Sequence, residues 1–186
     1  MLKYIPNLIT ILRFALVPIV CLTAFYGFKN ADIDLQIISC ALLLLAIISD
    51  FLDGFLARIL NAESEFGRCF DNIADKVLNI TLICTLLSLQ KIWIFPALIV
   101  VFREIFVSAL REYAAISGRR IGVDMFGKIK TTFQFFGLFL ILNTDIFIRY
   151  FGIDIYNFGN YIFYISAILS LLSCIIYILK YFSKNV

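Results

Sequence analysis

The chain has 186 residues, 62% hydrophobic and 16% charged, with sixteen Lys and Arg against thirteen Asp and Glu for a net charge of +3. That balance excludes an ordinary soluble domain, where about a quarter of residues are charged, and the length suits one domain. There is no histidine. Its absence excludes Ser-His-Asp and Cys-His nucleophiles and any His-ligated zinc, and leaves hard, oxygen-ligated cations such as magnesium, manganese or calcium.

In chain order, six apolar segments are expected as helices, at about residues 7–27, 33–60, 67–90, 92–118, 125–146 and 155–180. Short connections hold the turn residues: Gly27 to Asn30, Asn61 to Glu65, Gly118 to Asp124, and Gly152 near Asp154. The last segment contains a 25-residue uncharged run, Ile155 to Leu179, long enough to span a bilayer. The expected architecture is therefore an all-α membrane protein with six transmembrane helices, folded as a single integral-membrane catalytic domain over residues 1–186. No secretory signal is expected, because the first segment runs past Pro18 without a small-residue cleavage site. The five cysteines stand singly in apolar stretches and read as packing residues.

Six spans put both termini on one side. If that side is the cytosol, twelve basic residues fall near it: Lys3, Arg13, Arg58, Arg68, Lys76, Arg111, Arg119, Arg120, Lys128, Lys130, Lys180 and Lys184. Only Lys29, Lys91 and Arg149 lie at the opposite ends. Twelve against three sets the orientation by the positive-inside rule. Arg103 stands inside the fourth segment, and a deep arginine needs an acidic partner; Glu104 of a neighbouring helix or of a partner subunit is the expectation. A structural and a substrate role for Arg103 both stay open.

The second and third segments carry the unusual chemistry. Asp50 and Asp53 are spaced i, i+3, and Asp71 and Asp75 i, i+4, so each pair shares a helix face. Ionised carboxylates at membrane depth cost about 2.5–3.5 kcal/mol each, so four together need compensation. With two faces opposed across a short loop, a divalent cation or two would neutralise the cage and keep positions open for phosphate oxygens. Gly54 and Ala57 share the face of Asp50 and leave room there, and Gly67 lets a ligand approach bare backbone. Arg58 lies about 12 Å beyond Asp50 along the axis and can reach back towards a diphosphate. For any single position an interfacial salt bridge or a packing face is an adequate reading; for the whole spaced set it is not.

These residues carry a resemblance. Asp50, Asp53, Gly54, Ala57, Arg58, Gly67, Asp71 and Asp75 match the CDP-alcohol phosphotransferase signature D-x2-D-G-x2-A-R-x8-G-x3-D-x3-D. The resemblance implies a six-helix bundle, usually a homodimer with a cavity open to the cytosol, and displacement of CMP from a CDP-linked donor by an alcohol. It implies that Asp50, Asp53, Asp71 and Asp75 bind Mg2+ or Mn2+, two ions being expected. Asp75 would also be the general base, and Gly54, Ala57, Arg58 and Gly67 would surround the cytidine diphosphate.

Three further patches resemble bacterial phosphatidylglycerophosphate synthases. They are Ile5-Pro6-Asn7-Leu8-Ile9-Thr10 with Arg13; Arg103-Glu104 with Ser108-Ala109-Leu110-Arg111-Glu112; and Gly127-Lys128-Ile129-Lys130-Thr131 with Gln134. Asn72 stands where many relatives carry proline, which touches no expected ligand. The implied partners are CDP-diacylglycerol, sn-glycerol 3-phosphate and membrane lipid, not nucleic acid, and the implied location is the bacterial inner membrane. A phosphorylated acceptor needs a basic pocket, and Arg111, Lys128 and Lys130 are the candidates to clamp its phosphate. The same chemistry on inositol phosphate or serine is the nearest alternative. A divalent-cation transporter is the alternative from another class, although transport predicts acids along a whole path rather than at one membrane face.

Overall fold

The computed structural model describes residues 5–59, 65–118, 122 and 125–183, leaving aside the side chains of residues 5–11, 50–59, 65–69, 71 and 72. Among the described residues there are seven α-helices and no strand: α1 (Ile5–Lys29), α2 (Ile33–Ile59), α3 (Glu65–Ser88), α4 (Ile94–Ile116), α5 (Met125–Leu142), α6 (Thr144–Phe151) and α7 (Tyr156–Phe182). A chain this apolar has helices as its economical solution, because each satisfies its own backbone polar groups without water. Three of them, over Leu12–Lys29, Met125–Leu142 and Tyr156–Phe182, are long and apolar enough to cross a membrane among the described residues.

The sequence expectation differs from the structure in the fifth segment. Helix α5 stops at Leu142, Asn143 turns, and a separate eight-residue helix α6 follows where one continuous helix over 125–146 was expected. The turn is stabilised locally: Asn143 Nδ2 donates to the Phe139 carbonyl at 2.7 Å and Thr144 Oγ1 to the Leu140 carbonyl at 3.1 Å. Such side-chain donors compete with the helical ladder. The charges Asp145 and Arg149 then give α6 a polar side among Ile146, Phe147, Ile148 and Tyr150.

The chain forms two compact units. The first is Met1–Leu89 with Asp145–Gly152. Here α1 packs on both α2 and α3. A buried row on α1 (Arg13, Val17, Val20, Ala24) and another on α2 (Gln36, Ser39, Leu43, Ala46) repeat every three or four residues, the spacing of one helix face. The two helices are joined by a tight reversal in which Asp32 N–H donates to the Gly27 carbonyl at 2.8 Å and Ala31 N–H to the Phe28 carbonyl at 3.3 Å. That pattern is a Schellman motif with Ala31, at φ 52°, in the left-handed position glycine usually takes. Asp32 then caps α2, its carboxylate accepting from the backbone N–H groups of Asp34 and Leu35 at 3.0 and 3.2 Å. Gln36 Nε2 donates to the Asp145 carboxylate at 3.0 Å, which fastens the segment bearing α6 to α2.

The second unit is Gln90–Thr144 with Ile153–Val186. Helix α7 packs on α5 and on α4. The α5–α7 contact is backbone to backbone. A methyl group at Gly137 would lie 2.8 Å from Phe163 N, and one at Gly159 would lie 3.1 Å from Ile141 N and 2.9 Å from the Ile141 side chain. Small residues allow this approach where association relies on close packing rather than on a hydrophobic gradient. Tyr156 at the start of α7 donates its hydroxyl to the Lys91 carbonyl at 2.9 Å, tying the segment before α4 to α7.

Candidate active site

In the first unit, α2 and α3 carry the sequence-predicted donor residues near the ends joined by residues 60–64. Asp50, Asp53, Gly54, Ala57 and Arg58 belong to the last third of α2, and Gly67, Asp71 and Asp75 to the first half of α3. In helical register, positions 50 and 53 continue the row of Gln36, Ser39, Leu43 and Ala46. Positions 71 and 75 likewise continue into Leu78 and Leu82. The side chains of Asp50, Asp53, Gly54, Ala57, Arg58, Gly67 and Asp71 lie outside the described residues.

Asp75 is described, and its setting is specific. Its side chain is 48% exposed, and Oδ1 lies 3.5 Å from Nη1 of Arg13, which is fully buried. Arg13 stands at the end of the α1 row that packs through Val17, Val20 and Ala24. Beside it, Phe14 meets Phe70 edge to face at 5.9 Å, so an aromatic pair joins α1 to α3 next to the ion pair. Among the described residues no three Asp, Glu or Cys side chains converge as a metal site, three of the four aspartates lying outside that set. The donor set expected from the sequence is all carboxylate, a chemistry that suits magnesium or manganese.

In the second unit, a cavity of about 390 Å³ is lined by Arg103, Val107, Arg111, Gly127, Lys128, Thr131, Thr132 and Tyr177. Arg103, Val107 and Arg111 are spaced i, i+4, i+8 and form one stripe of α4 about 12 Å long. Helix α5 contributes its first two turns, and α7 contributes Tyr177. Gly127 makes room for the arginine: a methyl group there would lie 3.3 Å from Arg103 Nη2. Three cations and three hydroxyls thus share one open pocket, a composition that suits a phosphorylated, hydroxylated small molecule.

Of the three cations expected to hold an acceptor phosphate, Arg111 and Lys128 line this cavity and Lys130 does not. Lys130 is 1% exposed, and its Nζ donates to Glu104 Oε1. Helical geometry separates the two lysines, since residues i and i+2 do not face the same way. The position sequence reasoning left open is Arg103. The i, i+4, i+8 spacing with Val107 and Arg111 was the signal that places it on the cavity face. Glu104, the expected acid, meets Arg103 from the same helix: Arg103 Nη1 lies 3.6 Å from Oε2 of Glu104, the next residue of α4. Long side chains leaving one helix turn bridge that gap because both are held against other helices. Arg103 Nη2 donates to Ser173 Oγ of α7 at 2.7 Å, and Glu104 receives Lys130 of α5.

Residues 3–177 match the CDP-alcohol phosphatidyltransferase family. The chain belongs to the CDP-alcohol phosphatidyltransferase family. The match takes in the aspartate signature and the cavity helices alike. Among curated relatives, a protein of Salmonella choleraesuis (strain SC-B67) named CDP-diacylglycerol–glycerol-3-phosphate 3-phosphatidyltransferase is 35% identical over 179 residues, 94% of this chain and 92% of its own. A protein of the same name from Wigglesworthia glossinidia brevipalpis is 35% identical over 182 residues, 96% of this chain and 92% of its own. The fold is that of the Mycobacterium tuberculosis phosphatidylinositol phosphate synthase. Its crystal structure with CDP-DAG bound superposes with a TM-score of 0.66 at 17% identity, covering 96% of this chain and 86% of that one. Its complex with manganese and citrate gives 0.67 at 17% identity, covering 96% and 82%. Family membership and the three apolar helices together make this CDP-alcohol phosphatidyltransferase an integral membrane protein.

Proposed function

We propose that this chain transfers a phosphatidyl group from CDP-diacylglycerol to sn-glycerol 3-phosphate, giving phosphatidylglycerophosphate and CMP. The observation that carries the acceptor is the cavity of α4, α5 and α7, where Arg103, Arg111 and Lys128 stand with Thr131, Thr132 and Tyr177. A phosphate dianion leaves water only against compensating positive charge, and the hydroxyls of a glycerol need hydrogen-bond partners. The names carried by the 35% identical relatives point the same way.

The chemistry assigns the residues as follows. Asp50, Asp53, Asp71 and Asp75 would hold magnesium or manganese, two ions in our reading. When bound, the metal neutralises charge on the diphosphate and on the departing CMP. Arg58 holds the diphosphate, and Gly54, Ala57 and Gly67 leave the backbone surface against which the cytidine lies. Asp75 accepts the proton of the acceptor hydroxyl as the new oxygen–phosphorus bond forms and the bond to CMP breaks. Arg13 orients the Asp75 carboxylate from the buried side. Arg111 and Lys128 hold the acceptor phosphate by charge-assisted hydrogen bonds.

In this reading the chain is one catalytic domain of six spans, a homodimer in a bacterial inner membrane, with both termini and the active site cytosolic. The experiment is CMP release from purified protein across a panel of acceptors. Glycerol 3-phosphate is expected to exceed inositol phosphate, serine and glycerol, and no preference for it would sink the acceptor assignment. Metal uptake into protein-loaded liposomes without CDP-lipid would favour a cation transporter instead.

A further inference from the structure

The inner wall of the cavity holds a network that the reaction just described does not use. Glu104 is 13% exposed and sits between two cations: Oε1 accepts from Lys130 Nζ of α5, and Oε2 lies 3.6 Å from Arg103 Nη1. The Arg103 side chain is 8% exposed, and its guanidinium is held from two more directions. Its Nη2 donates to Ser173 Oγ at 2.7 Å, and it lies over the Tyr177 ring at 5.6 Å from the centroid. Arg103 lines the cavity, and neither Glu104 nor Lys130 does.

The meaning of this arrangement is positional. Glu104 is clamped from both sides, by Lys130 of α5 and by Arg103, and the side chain of this group that reaches the cavity is Arg103. A flexible arginine would lose rotamer freedom on binding a ligand, whereas one already fixed on three sides has lost it on folding.

We propose that Glu104 is the positioning residue of the acceptor site. It fixes the Arg103 guanidinium against α7 as a preset contact for the oxygens of a phosphorylated polyol, with Lys130 as its own counter-ion. The inference rests on the reading of this cavity as the acceptor site.

The test is steady-state CMP release by the purified full-length protein, varying each substrate in turn, for Glu104→Gln, the double variant Glu104→Gln/Lys130→Gln, and Arg111→Ala. Glu104→Gln is expected to raise KM for glycerol 3-phosphate about 10-fold, the scale of one charge-assisted contact. KM for the CDP-lipid and kcat should stay within about 3-fold. The double variant removes one charge of each sign, which guards against misfolding from an unbalanced buried cation. It is expected to keep the raised acceptor KM. A return to the wild-type value would overturn the proposal, because Glu104 would then serve only to offset Lys130. Equal shifts in both KM values would also overturn it. If Arg111→Ala raises the acceptor KM and Glu104→Gln does not, the positioning role alone falls. If neither moves it, the reading of the cavity as the acceptor site falls as well.

Discussion

The two units of this chain handle buried charge in opposite ways. In the first, the sequences of α2 and α3 carry four aspartates, and beside the described one, Asp75, lies the buried Arg13, while the Asp75 carboxylate stays half in water. In the second, cations dominate: Arg103, Arg111 and Lys128 face a cavity, and a largely covered carboxylate, Glu104, ties Arg103 and Lys130 together. One unit has an excess of negative charge that calls for an added cation. The other has an excess of positive charge that calls for an added anion. In the proposed function the first surface takes the metal and the diphosphate and the second takes the phosphorylated alcohol, and each is built from helix faces that elsewhere pack apolar residues.

Substitutions that strike one surface and spare the other sharpen this contrast. The largest effect is expected for Asp75→Asn, which keeps the shape and removes the proton acceptor. Turnover should fall by about 10²–10⁴-fold, the usual scale for a general base, with the thermal midpoint little changed. Retained CMP release would remove Asp75 from that role. The next effect concerns stability and compares the units directly. Lys130→Met leaves the Glu104 carboxylate buried with only Arg103, and the cost of breaking such a pair is about 3–5 kcal/mol. Arg13→Met leaves a carboxylate that water already reaches, and should cost below about 2 kcal/mol. Thermal unfolding of both variants in detergent checks the order, and the reverse order would break the comparison. The smallest effect belongs to Gly137→Ala, which inserts a methyl group 2.8 Å from the Phe163 backbone. Overpacking of this kind costs about 1–3 kcal/mol, and both KM values should hold.

Much of this was legible in the sequence, and the failures have physical causes. Apolar runs bounded by Gly, Asn and Asp locate α1, α2, α3, α4 and α7 to within about two residues, because in so apolar a chain a run ends only where turn chemistry appears. The break at Asn143 was missed because Asn143 and Thr144 end α5 through side-chain bonds to the preceding turn, which periodicity does not register. The aspartate signature was readable because its spacing is helical. The cation set was read by proximity along the chain instead, so Lys130 was grouped with Lys128 although a helix turns them apart. Arg103, eight residues before Arg111, shares its face. The link from Glu104 to Lys130 joins two helices and has no local signature.

The contact between α5 and α7 has a mechanical consequence. With no side chain between their backbones at Gly137 and Gly159, these two helices have no cushion along which to slide and behave as a single strut. The cavity takes part of its wall from each. The stripe of Arg103, Val107 and Arg111 on α4 is pinned to that strut at its Arg103 end, where Ser173 of α7 holds the guanidinium.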